Sequence, residues 1–194
     1  MPIVAVNVWA AILLGVAKMK NTKKVVFCGL MAAVATVIML VAYFPYLTYA
    51  VPAVASLAIM VCLIELGVKW SFMAYLASIL PIFLFCENES KLLYIVFFGF
   101  YPVIKVLIER VRSRAIEWVV KLVVFNAIIV STYFVVSNLL GVRIDEISFV
   151  GGYTIAVLLF LGNIVFVLYD ICIERMAALY MVRLHNVVRR FLSR

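Results

Sequence analysis

Residues 25–44 read Val-Val-Phe-Cys-Gly-Leu-Met-Ala-Ala-Val-Ala-Thr-Val-Ile-Met-Leu-Val-Ala-Tyr-Phe, an unbroken run without a charge directly behind Lys23 and Lys24. At 1.5 Å rise per residue a helix of about 20 residues matches the roughly 30 Å hydrocarbon layer of a bilayer. Apolar residues are continuous here, whereas a membrane β-barrel strand alternates apolar with polar. The stretch therefore reads as a transmembrane helix, with the two lysines marking its cytoplasmic entry.

The rest of the chain repeats this pattern. Of 194 residues, 69% are hydrophobic and 13% charged, and the mean hydropathy is +1.24. Soluble domains run near 45–50% apolar and about 25% charged. Nine acidic and 17 basic residues cannot wet so apolar a chain, which excludes a soluble globular or a disordered protein. The expected fold is all-α: a polytopic integral membrane protein, a six-helix transmembrane bundle. Its spans are placed at 25–44, 47–68, 70–86, 92–108, 116–140 and 149–173.

Around this membrane domain of residues 19–174 lie two flanking pieces. Residues 1–18 are hydrophobic and short, and are read either as an extra helix or as an upstream extension ahead of a start at Met19. Residues 175–194 form a basic amphipathic tail, in which Leu179, Leu184, Val187, Val188 and Phe191 alternate with Arg183, Arg189, Arg190 and Arg194. The tail is read either as an interfacial or partner-binding helix or as an orientation signal resting on anionic lipid.

Charge alternates between the loops. Lys18–Lys24, Lys69, Lys105–Arg114 and Arg175–Arg194 fall on one side, with the turns at Pro45, Glu87–Lys91 and Arg143–Glu146 on the other. The positive-inside rule then puts both ends of the core in the cytoplasm of a cell membrane. The net charge of +8 is read as this topology signal, with the lipid bilayer and not nucleic acid as its partner.

Motifs of catalysis are missing: there is no GxxxxGK[ST], no HExxH and no GxSxG. Cys28, Cys62, Cys86 and Cys172 are scattered without a CxxC, and His185 is the one histidine, so no multi-histidine metal site can form. No enzyme activity, metal or cofactor is expected. Asp170, close to Glu174 and Arg175, reads as a helix-end charge.

Three groups of residues remain as candidates. Gly29, Ala32, Ala33, Ala35 and Thr36 place small residues four apart on the first core span, where they either pack internally or dock a separate membrane subunit. Asn126 and Asn163 lie at equal depth, about 21 Å from the outer ends of the last two spans, so antiparallel neighbours could join them as a structural pair or as ligand contacts. The outer turns carry Tyr46, Thr48, Tyr49, Glu87, Asn88 and Arg143, with Asn138 just inside, which suit a small polar ligand or ordinary interfacial contacts. Pro81 and Pro102, the latter near Gly99, are expected to kink the third and fourth spans.

With Gly29, Ala32, Ala33 and Ala35 on the first core span, short outer turns and the basic cytoplasmic loop, residues 19–174 resemble the substrate-binding (S) subunits of energy-coupling-factor vitamin transporters. The resemblance implies a six-helix subunit that captures a micronutrient from outside. It also implies docking by the 29–36 face onto a transmembrane coupling subunit and energy from partner ATPases. The sequence carries no signature for a particular substrate. The alternative is a structural membrane scaffold of a cell-shape or envelope assembly, with no substrate.

Overall fold

The computed structural model describes residues 21–44, 46–109, 114–140, 154–185 and 188, with side chains of the last two helices from 115 to 132 and from 159 onward. Residues 1–18, Arg143 and the end of the basic tail, with Phe191 and Arg194, lie outside the described residues, as do Arg110–Arg112 of the basic loop. Every element among the described residues is helical. Helix α1 (Asn21–Leu40) ends in a tight turn at Val41–Tyr43, followed by α2 (Val51–Leu66), α3 (Val68–Phe85) and α4 (Asn88–Leu93). A wide turn at Tyr94–Phe98 leads into α5 (Tyr101–Ile108), and then come α6 (Arg114–Leu140) and α7 (Thr154–Arg183). Four stretches are long and apolar enough to cross a membrane: Asn21–Tyr43, Val68–Phe85, Asn88–Ile108 and Ala115–Thr132.

The chain divides into two compact units, one of residues up to Glu109 together with those from Ile173, the other from Arg110 to Cys172. In the first unit α2 is the pillar. It packs against α1, α3 and α5, and 12 of its 16 residues are buried. A helix apolar on every side belongs in the interior, which suits α2: it is shorter than α1 and α3 and is covered by its neighbours. The outer helices reverse the usual soluble pattern. Val26, Leu30, Val34 and Val37 of α1 and Met73, Leu80, Phe83 and Leu84 of α3 are exposed, an apolar surface that a bilayer would cover.

Two glycines shape this unit. Gly67 joins α2 to α3 at φ 86°, the left-handed region that favours glycine, and its amide closes on Leu63 O at 3.0 Å. Gly99 follows the wide turn. Pro102 has no amide to offer Phe98 O, so the helical ladder breaks there. The Gly99 amide skips Ile95 O and bonds Tyr94 O at 2.8 Å. The Tyr75 hydroxyl of α3 donates to Ile95 O at 2.6 Å. Pro102 thus breaks the stretch as expected, whereas Pro81 lies within a continuous α3.

A Cβ at Gly99 would meet the Tyr75 ring at 2.6 Å and the Tyr94 ring at 2.9 Å. Both tyrosines are buried and cannot swing aside. Gly99→Ala is therefore expected to destabilise the first unit by about 1–3 kcal/mol, read as a lower midpoint of thermal unfolding in detergent. An unchanged midpoint would show that the rings are loosely held.

The second unit is an antiparallel pair formed by α6 and the first part of α7. Lys121 meets Asp170, the rings of Phe125 and Phe166 stack at 4.5 Å, and Asn126 meets Asn163. α7 continues without a break to Arg183, so the sixth expected span and the start of the basic tail are one helix.

Candidate functional site

The loops at the start of α2 and the end of α3 gather hydroxyls and carboxylates. Thr48 lies in the turn before α2, where its Oγ1 donates to Glu87 Oε2 at 3.1 Å and lies 3.4 Å from Ala42 O. Ser90, fully buried, donates to the same Glu87 oxygen at 3.1 Å. Tyr49 donates to Glu89 Oε2 at 3.1 Å, and the Tyr43 hydroxyl donates to Phe85 O at 2.9 Å. Lys91 meets Phe83, its Nζ 4.9 Å above the ring and 3.5 Å from Phe83 O. Segments some 40 positions apart in sequence thus meet at one end of the first unit.

Of the residues singled out in the outer turns, Thr48, Tyr49 and Glu87 come together. Tyr46 stands 98% exposed with a left-handed φ of 72°, and Asn88 is also exposed. The Asn138 side chain and all of Arg143 lie outside the described residues.

The Tyr49 hydrogen bond has a pH consequence. The bond to Glu89 and that carboxylate's charge hold the Tyr49 phenol above its ordinary value of 10.0. Only the neutral phenol donates, so the contact is complete below pH 10 and is lost as pH rises through the raised value. Glu89→Gln is expected to bring the Tyr49 titration back toward about 10, measured as phenolate absorbance against a Tyr49→Phe control. An unmoved titration would show that the contact is absent in solution.

At the other end of α2, Glu65 is buried and takes two donors on one oxygen. The Tyr180 hydroxyl lies 2.8 Å from Glu65 Oε1 and His185 Nδ1 lies 2.9 Å from it. Burial, then the Glu65 charge, holds the Tyr180 phenol well above the usual range, which keeps it the neutral donor. His185 is thereby placed on a carboxylate, a role its position near the chain end does not suggest.

The α6–α7 pair holds the third polar group. Lys121 Nζ lies 2.7 Å from Glu117 Oε1 and 3.1 Å from Asp170 Oδ2. Its ammonium also stands 5.3 Å from the Trp118 ring centroid. Lys121 and Asp170 are both buried, so the reading of Asp170 as a helix-end charge is corrected: burial leaves a carboxylate dependent on partners, and Lys121 is one of them. Further along the pair, Asn126 and Asn163 exchange amide hydrogen bonds of 3.0 and 3.2 Å. Each also donates back to its own helix, to Leu122 O at 2.8 Å and Leu159 O at 2.7 Å. Four hydrogen bonds satisfy the two amides from within the hairpin.

The small-residue face of α1 divides. Ala32 and Ala35 are buried in the first unit, while Gly29 and Ala33 are exposed. A Cβ built on Gly29 finds nothing within 4 Å. Thr36 donates to Ala32 O at 2.9 Å along its own helix.

Among the described residues, no group of three or more His, Cys, Asp or Glu side chains could hold a metal ion. No protein-family model, curated protein or solved structure matches the chain. What the chain does must therefore be argued from these side chains.

Proposed function

We propose that this chain is the membrane-embedded substrate-capture subunit of a micronutrient uptake transporter, energised by partner ATPase subunits. One observation carries the reading. Thr48, Tyr49, Glu87 and Glu89 converge at one end of a helical unit whose outward surface is apolar. A capture subunit needs hydrogen-bonding side chains gathered where its membrane body meets water. Carboxylates and hydroxyls held together there suit a small molecule with donors of its own.

In this reading six spans cross the plasma membrane with both core ends in the cytoplasm. Lys23, Lys24 and Lys69 lie at the opposite end of the helices from Glu87, which supports an outside position for the polar cluster. The missing P-loop motif agrees with energy supplied by separate subunits. The open space above Gly29, beside exposed Ala33, leaves a shallow strip on α1 where a coupling subunit's helix could approach closely.

A second reading, a structural scaffold, draws on the same cluster. Glu87 and Glu89 already accept hydrogen bonds from the chain's own hydroxyls, as a purely architectural turn would require. Native mass spectrometry of protein released gently from its own membranes separates the two. The capture reading expects a bound metabolite of low mass or an associated ATPase pair. Lipid alone, accompanied by envelope or cell-shape proteins, would overturn it.

A further inference from the structure

Two of the four cysteines, far apart in sequence, meet inside the first unit. Cys28 of α1 and Cys62 of α2 are both buried, with their sulfurs 3.7 Å apart. Cys28 Sγ also lies 3.3 Å from Trp70 O at the start of α3. Alanines make the approach possible: Ala32 and Ala35 of α1 and Ala55 and Ala58 of α2 are buried, in helices packed directly on each other. Lys24, one turn before Cys28, sits 5.7 Å from the Trp70 ring. The thiols therefore lie near the basic end of the helices.

We propose that Cys28 and Cys62 form a reversible oxidation site, closed to a disulfide by a small uncharged peroxide. Cys28 keeps a trace of exposure, 6% against 0% for Cys62, and meets the oxidant first. Its sulfur attacks one peroxide oxygen, the O–O bond breaks, and the second oxygen leaves as water with the thiol proton. Cys28 is then a sulfenic acid. The Cys62 sulfur attacks the Cys28 sulfur, the S–O bond breaks, and the hydroxyl leaves as water with the Cys62 proton. In sum, two thiols and one peroxide give one disulfide and two waters, with two electrons passing from sulfur to oxygen.

Chemistry at this site favours the disulfide over its alternative. A soft metal ion held by two thiolates would bury a net charge among apolar side chains, which is costly. A disulfide is neutral, and its sulfurs need to close only from 3.7 Å to about 2.05 Å. The product ties α1 to the pillar α2, so oxidation would fix the helix that carries exposed Gly29 and Ala33. The site stands independently of the transport reading.

The test uses the full chain in native membranes. Hydrogen peroxide is titrated until exposed Cys172 is fully oxidised, remaining thiols are capped with a maleimide, and peptides are read by mass spectrometry without reductant. The expected result is a Cys28–Cys62 cross-linked peptide, lighter than its two parts by two hydrogens and reversed by dithiothreitol. In Cys62→Ser the cross-link disappears and Cys28 is instead trapped by dimedone as the sulfenic acid. Cys28 and Cys62 recovered as capped thiols at that dose, or linked to Cys86 or Cys172 rather than to each other, would overturn the proposal.

Discussion

Lys121→Ala is expected to destabilise the α6–α7 pair by about 3–5 kcal/mol, the cost of removing one partner from a buried ion pair. Asp170 keeps its burial in that variant and loses the ammonium 3.1 Å away. Glu117, more exposed, loses the same cation but can turn to water. Removing both charges with side chains of similar volume behaves differently. Lys121→Met with Asp170→Leu restores a packed apolar contact, and its stability is expected to return to the wild-type value or exceed it by about 1–4 kcal/mol. Denaturation followed by the loss of helical circular dichroism in mixed micelles measures both. Equal destabilisation by the single and the double variant would show that side-chain volume, not charge pairing, holds the hairpin.

The second large effect is expected at Glu65. Glu65→Ala takes the shared acceptor from two donors, the buried Tyr180 hydroxyl and His185. An unsatisfied buried donor costs about 1–3 kcal/mol. The loss concentrates where α2 meets the end of α7, so amide exchange over residues 180–185 is expected to speed up while the middle of α2 stays protected. Glu65→Gln keeps an acceptor oxygen and is expected to lose less. Tyr180→Phe removes one donor and leaves the carboxylate with His185, and about 1.5–3 kcal/mol is expected for a hydrogen bond to a charged group. Unchanged exchange at residues 180–185 in Glu65→Ala would show that the end of α7 is held by its apolar contacts alone.

The helical architecture was readable because hydrocarbon imposes one simple demand. Apolar runs of about 20 residues must be helices there, and four observed helical stretches are long and apolar enough to cross, while the last helix runs to Arg183, ten residues past the expected end of the sixth span. Pro102 was readable because a missing amide must break the ladder wherever it occurs, whereas the tight fit of Gly99 against Tyr75 and Tyr94 had no sequence signal. The Asn126–Asn163 contact followed from matched depth on antiparallel helices. Lys121 and Asp170 obey the same register, and pairing charges by depth as well as amides would have found them. Asp170 was hidden by its neighbours Glu174 and Arg175, which made it look like part of a solvated helix end.

Other contacts had no local signal. Glu65 stands at the end of an apolar run, where a charge ordinarily marks the boundary of a span. Its partners Tyr180 and His185 lie more than 110 positions away, and nothing in their spacing points to α2. The Cys28–Cys62 contact is equally non-local. The loop cluster was half visible: Thr48, Tyr49 and Glu87 belong to it, whereas Tyr46 and Asn88 are exposed. Which of several polar turn residues meet one another depends on the path of the turn, and at Tyr46, where the backbone is left-handed, the ring is fully exposed.

The central claim, a membrane body that offers the Thr48–Glu87 cluster to the outside, is tested most directly by sidedness. Single cysteines are introduced by Tyr46→Cys beside the cluster and by Lys69→Cys at the opposite end, each in a Cys172→Ser background. Intact cells are treated with a membrane-impermeant maleimide, and the modified peptides are quantified. The account predicts rapid labelling at position 46 in intact cells and labelling at position 69 only after the membrane is opened. Labelling at position 69 in intact cells, with position 46 protected until the membrane is opened, would contradict it.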